Sequence, residues 1–282
     1  MKRTSGEKLF SGLNYTLMGL LALTMLLPLL HILQLTFSAH PDTSFRLWPR
    51  QLTLENYRYV LEAGFILRPL WNSIFLSTTG TIFSLAMTSL LAYPLADPDL
   101  PARRFFNFLV VLTIMINIGF LPKYLLIRDL RLMNSYWSIV LVGGISSFNL
   151  IIMRNYFQSI PRELFDSARI DGATERTIMI RIVLPLALPV MATIFLFYFV
   201  DYWNEYFRII LYITDRTKYT LQVILRSIII MEEDMGGDEL DRMLIDNIKY
   251  TTVIVALIPI MMLYPFLQRY FTKGIMLGSI KG

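Results

Sequence analysis

Two groups of residues carry polar chemistry into an otherwise apolar chain. The first is Asp201, Tyr202, Trp203, Asn204, Glu205, Tyr206 and Arg208. Carboxylates and an amide beside aromatic rings suit sugars, which need hydrogen bonds and flat apolar faces together. Asp201, Glu205 and Arg208 fall at i, i+4 and i+7, one face of a continuous helix. Intramembrane charges are costly and usually functional. The plainer alternative is an interfacial aromatic belt with Asp201 or Glu205 paired to Arg208, a gate or strut that never meets substrate. The two readings stand level. Lys123, beside Pro122, is a further candidate lining residue, and with Arg208 it would neutralise an acidic substrate. Snorkelling to the interface is the simpler account of it. His31 and His40 are isolated and read as core or loop histidines. The chain has no cysteine, which excludes disulfides, a thiol nucleophile and cysteine metal sites. HExxH, GxSxG and GxxxxGK[ST] patterns are absent, so nothing points to a catalytic residue or a metal site.

The second group lies in residues 161–189, PRELFDSARIDGATERTIMIRIVLPLALP. Pro161 suits a first helical turn, and Glu163 and Asp166 follow where the helix dipole favours acids. Leu164, Phe165 and Ala168 recur at helical spacing and make a small apolar face, flanked by Glu163, Asp166 and Arg169. Asp171-Gly172 ends that helix, because glycine takes the left-handed closing conformation cheaply. A second short run, 174–181, leads to Leu184 and Pro185, where a long apolar helix begins. An amphipathic knob between apolar helices suggests a docking element; the alternative is an interfacial helix lying on lipid.

These residues must be positioned by membrane helices. Of 282 residues 55% are hydrophobic and only 17% are charged. A soluble protein carries roughly a quarter charged residues. Six apolar stretches of spanning length are expected, at about 13–37, 71–93, 105–127, 136–157, 183–212 and 251–271. The third is expected to break near Gly119 and Pro122. A short surface helix with Thr53 as cap is expected over 53–61. The long connection 214–250 holds an acidic run, Glu232, Glu233 and Asp234, and a flexible Gly236-Gly237. Counting about 1.5 Å per residue from Pro185 puts Asp201 roughly 24 Å along the fifth span. The run after Met1-Lys2-Arg3 is too long for a signal-peptide core and reads as a retained first helix. The net charge of +5 reads as basic loops facing anionic lipid, not as nucleic-acid binding. The chain reads as an all-α integral membrane protein, one unit over 1–282, with both termini on one side. Basic residues divide almost evenly between the two sides, so charge alone does not orient it.

Asp166-Ser167-Ala168, three residues, Gly172, nine residues, then Ile182-x-Leu184-Pro185 resembles the EAA motif of binding-protein-dependent ABC importers, EAA-x3-G-x9-I-x-L-P. Asp166 and Ser167 depart from the first two letters conservatively. Leu47-Trp48-Pro49, Thr53-Leu54-Glu55-Asn56-Tyr57, Trp203-Asn204 and the tail from Phe266 resemble MalG-like carbohydrate permeases. The tail is similar to the subgroup that includes LplC and the alginate importer's subunits. The resemblance implies a type I ABC importer permease fold with six spans and a cytoplasmic coupling loop, 159–182, between the fourth and fifth. It implies a bacterial inner-membrane complex: a second related permease, two ABC ATPases holding ATP and Mg, and an extracytoplasmic binding protein that delivers an oligosaccharide. Acidic oligosaccharides of the alginate type fall within that range. With no P-loop here, ATP must be hydrolysed by the partner subunits. An ATPase dock must face the cytoplasm, which places both termini there. The connections 38–69 and 214–250 are the expected receivers of the binding protein.

Two rivals remain at this level. A stand-alone secondary transporter or channel would need no dock. A structural or sensory membrane subunit would bind partners without transporting.

Overall fold

The computed structural model describes residues 5–38, 48–49, 51–62, 64–116, 118–234 and 239–278. Met1 to Thr4, His40, Pro41, Arg46, Leu47, Arg50, Gly236-Gly237 and Ser279 to Gly282 lie outside them, as do the side chains of Glu232, Glu233, Asp234 and Lys273. The described chain is helical, with one isolated antiparallel bridge, Ser38 to Leu52. Two compact units divide it, one of residues 1–67 with 225–257 and one of 68–224 with 258–282.

In the first unit, α1 (Ser5–Thr36) is the expected first span; from Phe10 to Leu33 none of its residues is buried, and Gln34, Leu35 and Thr36 at its end are. The short helix α2 (Glu55–Glu62) forms where expected. Thr53 Oγ1 accepts the Glu55 N–H at 3.1 Å, relieving one unpaired amide of the first turn. Asn56 Nδ2 donates to the Thr36 and Ser38 carbonyls at 3.0 Å each, and Tyr57 Oη bonds Thr36 Oγ1 at 2.8 Å. These bonds fasten α2 to the end of α1.

The second unit is built on α3 (Leu67–Ala96), the second span. Its inward stripe is small and polar: Ser73, Ser77, Gly80, Thr81, Ser84 and Thr88 are buried. Small residues let another helix approach closely, and hydroxyls bond across the contact where no water is available. The third span breaks as expected, into α4 (Arg103–Met115) and α5 (Phe120–Asp129), with Gly119 at φ +72°.

The expected fourth span is not one helix. It is α6 (Trp137–Val142) and α7 (Ser147–Gln158), interrupted at Gly143 to Ser146. The cause is local. Two glycines weaken the helix, and the Ser146 side chain caps α7 by accepting the Asn149 N–H at 3.4 Å.

After α8 (Arg162–Ile170) and α9 (Glu175–Ile178), a π-helical turn, Met179–Val183, leads into α10 (Leu184–Leu186). Pro185 explains the wide turn, since its ring would crowd the Arg181 carbonyl four residues back. At Ala187 the chain bends by 81° between Glu175–Leu186 and α11 (Leu188–Trp203). The straight count from Pro185 to Asp201 therefore fails. From Leu188 the rise to Asp201 is about 20 Å.

A second break follows before α12 (Phe207–Tyr212), so the fifth span is not continuous to Tyr212. The chain closes with a 3-10 turn (Arg216–Lys218), α13 (Leu221–Asp234) and α14 (Glu239–Gly278), whose candidate spanning stretch is Asp246–Leu263. Among the described residues three helices are long and apolar enough to cross a membrane, or up to five if each bent pair is one span.

Candidate functional site

The polar cluster of the fifth span is a joint between broken helices. Arg208 sits just inside α12. It donates to Asp201 Oδ2 on α11 at 3.0 Å and bonds Glu205 Oε2 directly, while its backbone N–H reaches Glu205 Oε1 at 2.8 Å. The three charges meet as expected, although the backbone between them is not helical throughout. Asn204 ends α11, so Glu205 lies in the break and caps α12 from there. Glu205 is buried, the Arg208 side chain is 19% exposed, and Asp201 is exposed.

Tyr202 and Trp203 are each only 1% exposed, so neither ring is presented as a sugar platform in this conformation. The Tyr202 hydroxyl bonds Ser84 Oγ at 2.9 Å and lies 3.3 Å from the Val140 carbonyl. Its ring fills the space above Gly80, where an added Cβ would come within 2.9 Å of it. Trp203 stacks on Phe199, with centroids 5.9 Å apart. Asn204 is exposed; its Nδ2 donates to the Val200 carbonyl at 2.9 Å. Lys123, on α5, is exposed and has no ion pair among the described residues.

The break at Gly143 to Ser146 meets the same joint. A Cβ on Gly143 would fall 2.5 Å from Arg208 Nη1 and 3.1 Å from the Tyr202 hydroxyl. The Ser146 N–H, freed by the break, donates to Tyr198 Oη at 2.9 Å, and Tyr198 Oη also bonds Thr88 Oγ1 at 2.7 Å. Broken helices inside a membrane need such internal partners. Sequence reasoning missed Gly143, Tyr198 and the α3 hydroxyls. The small-residue spacing of α3 was the available signal.

On the 213–220 side, Asn134 and Asn72 hold the chain. Asn134 has φ +59°, and its N–H donates to the Tyr212 carbonyl at 2.8 Å. Its side-chain oxygen accepts the Asp215 N–H at 3.1 Å. Asn72 Nδ2 bonds the Thr217 and Tyr219 carbonyls at 2.9 Å each. The Thr217 hydroxyl and N–H hold the half-buried Asp215 carboxyl below its usual range.

The amphipathic segment is the second element. α8 starts after Pro161 and ends in a full Schellman turn: Ala173 N–H to the Ala168 carbonyl at 2.9 Å, Gly172 N–H to the Arg169 carbonyl at 3.0 Å. Gly172 takes φ +79°, the conformation that this closure requires. Thr174 caps α9 by accepting the Thr177 N–H at 3.3 Å. The apolar face divides differently from the sequence reading. Ala168 is buried and Phe165 packs beside it on the chain's own core. Leu164 is 41% exposed and Ile170 is 86% exposed. Phe165 and Ala168 thus anchor the helix, and Leu164 and Ile170 face outward with Glu163 and Ser167. The apolar spacing does not mark Ile170, because it lies on the side of the helix opposite Phe165 and Ala168.

Arg169 Nε donates to Glu175 Oε1 at 2.9 Å and approaches Asp166 at 3.6 Å; the bond to Glu175 holds its guanidinium above the ordinary value. The Tyr93 hydroxyl donates to Glu175 Oε2 at 2.5 Å. Glu175, unmarked by sequence reasoning, therefore ties α8, α9 and the end of α3 together. Asp171 is the final residue before the turn, and Leu184 and Pro185 lie at the π turn. Among the described residues no three His, Asp or Glu side chains gather as a metal site.

Comparison with known proteins gives one consistent result. A model of the binding-protein-dependent transport system inner membrane component family matches residues 2–277. The chain is 40% identical to the polygalacturonan/rhamnogalacturonan transport system permease protein YtcP of Bacillus subtilis, covering 98% of this chain and 99% of that one. It is 37% identical to the protein LplC of the same organism, over 100% and 98%. A crystal structure of a bacterial ABC transporter involved in the import of the acidic polysaccharide alginate contains a chain that superimposes with a TM-score of 0.86, 30% identical, covering 96% of this chain and 99% of that one. The readings as a stand-alone carrier and as a non-transporting subunit are thereby set aside. The chain belongs to the family of inner-membrane components of binding-protein-dependent ABC transport systems.

Proposed function

We propose that this permease forms half of the translocation pore of an ATP-driven importer for acidic oligosaccharides, and that α8 couples the pore to an ATPase partner. The observation that carries the coupling role is the division of α8. Its rear, Phe165 and Ala168, is locked to the core, and its front offers Leu164 and Ile170 between acids. An amphipathic helix with apolar anchors and charged flanks fits a groove on another protein. Force applied there passes through Gly172 and Glu175 to α9, and through the π turn at Pro185 into α11. Two ATPases holding ATP and Mg, a second permease and an extracytoplasmic binding protein complete the machine, with both termini on the cytoplasmic side.

The substrate class rests on the two acidic polysaccharides, a galacturonan and alginate, named for the full-length relative and the structural neighbour. Chemistry in this chain supports a limited part of it. Arg208 is already neutralised by two carboxylates, so Lys123 is the better placed cation for an acidic sugar. The joint at Arg208 then acts as a strut between the broken helices, and Asn204 and Asp201 are its residues exposed toward a substrate path.

The test is reconstitution of the complete importer in vesicles with its binding protein. Acidic oligogalacturonides or oligoalginates are expected to raise ATP hydrolysis several-fold and to accumulate inside, while neutral oligosaccharides of equal length do neither. Stimulation by the neutral set alone would overturn the substrate class. Hydrolysis indifferent to substrate and binding protein would overturn the importer.

A further inference from the structure

A cavity of about 620 Å³ lies beside α8, walled by the turn after α3, the start of α4, the end of α7 and α8 itself. That volume is typical of small-ligand sites, about 300–1,000 Å³. Its charges fall into two sets. Glu175 is satisfied by Tyr93 and Arg169, and Asp166 by Arg169. Arg103 and Arg162, by contrast, have no ion pair among the described residues; Asp97 acts on Arg169 from beyond ion-pair distance, and Asp99 has no ion pair there. Arg103 Nε is inaccessible and has no hydrogen-bond partner. One turn along the same face of α4, Asn107 Oδ1 accepts from Arg154 Nη1 at 2.5 Å, which adds positive potential behind Arg103.

A simple anion would be drawn to the arginines and repelled by the aspartates. A zwitterion answers both. The lip of the cavity also continues into an exposed apolar surface, since α4 presents Phe105, Phe106, Phe108 and Leu109 outward directly after Arg103. We propose that the cavity binds the headgroup of an aminophospholipid, its phosphate on Arg103 and Arg162, its ammonium toward Asp97 and Asp99, and its chains along α4. The occupant joins the α3–α4 turn to the first turn of α8 and steadies the docking helix. The site stands without the coupling role; only this consequence rests on it.

The experiment uses the assembled complex with its ATPases in nanodiscs, with native mass spectrometry and thermal unfolding as readouts. Phosphatidylethanolamine is expected to be retained in preference to phosphatidylglycerol and phosphatidylcholine. The double variant Arg103→Gln/Arg162→Gln is expected to lose about tenfold or more in retention, the scale of a charge-assisted hydrogen bond. Asp97→Asn keeps the side-chain oxygen that accepts the Asp99 N–H at 3.0 Å, so the turn survives. It is expected to erase the preference for ethanolamine over glycerol headgroups. Arg104→Gln, whose residue does not line the cavity, is expected to change nothing. Equal retention of all three lipids, or unaltered retention in the double variant, would overturn the proposal. Equal stabilisation by inorganic phosphate or free phosphoethanolamine would assign the site to a soluble ligand and overturn the lipid. Retention seen only after the ATPases are stripped away would show that an ATPase fills the cavity, which also overturns it.

Discussion

Arg208 and its two carboxylates differ in burial, and that difference predicts their energetics. Glu205 is buried and Asp201 is exposed, so the first depends on Arg208 far more than the second. Arg208→Met leaves Glu205 as a buried unpaired charge, a loss of about 3–5 kcal/mol. Thermal unfolding of purified protein should register it as a large drop in Tm, and Glu205→Gln in the same background should recover part of it. Asp201→Asn should cost under about 1 kcal/mol, the scale of an exposed pair. If Asp201→Asn instead abolishes uptake at unchanged Tm, the joint meets substrate and is not only a strut. This cluster was legible in the sequence as three charges at helical spacing. The break at Asn204 was not, because no proline or glycine marks it. It depends on Glu205 capping α12 and on Arg208 filling the space beside Gly143.

At the scale of the element, α8 carries two separable jobs. Ile170→Asp alters only an outward residue, so ATPase co-purification should weaken about tenfold or more while Tm stays within a degree or two. Phe165→Ala removes packing from the core side and should lower Tm by the equivalent of about 1.5–3 kcal/mol. Reversed results would mean that the helix docks through its other face. Gly172→Ala keeps the chain length but forces a side chain to φ +79°, at about 1–2 kcal/mol. Sugar uptake per ATP hydrolysed in vesicles should fall, more so with Gly172→Pro, whose ring cannot take a positive φ. Uptake unchanged in both variants would remove Gly172 from the coupling route. The ends of α8 were readable from Pro161, the early acids and Gly172. Its orientation was not, because Leu164, Phe165 and Ala168 form one stripe on paper and only tertiary packing decides which part faces inward. Glu175 was unreadable for a related reason: its partner Tyr93 is 82 residues away.

For the whole molecule, the spans that read well were uninterrupted apolar runs or, in the third, carried their break as Gly119 and Pro122, and those that read poorly were broken through contacts with distant residues. The fourth expected span breaks at Gly143 because Tyr198, itself bonded by Thr88, satisfies the Ser146 N–H from outside the segment and Arg208 fills the space beside Gly143, which periodicity cannot register. α1 poses the remaining question at this scale. From Phe10 to Leu33 none of its residues is buried, whereas α3 buries a stripe along its length. Gly12, Thr16 and Gly19 nevertheless form a small-residue stripe on it, and a Cβ at either glycine would meet nothing within 4 Å. Such stripes admit close helix approach in lipid, where packing and not apolarity drives association. α1 should therefore pack through this stripe on the second permease. The absence of cysteine makes the test clean, since every introduced cysteine is the only one in the chain. Single cysteines placed from position 10 to position 30 should react evenly with a lipid-soluble maleimide in the chain alone. In the assembled importer, protection should recur at 12, 16 and 19, with a period of about 3.6 residues. Even labelling in the assembly would mean that lipid surrounds α1 on all sides.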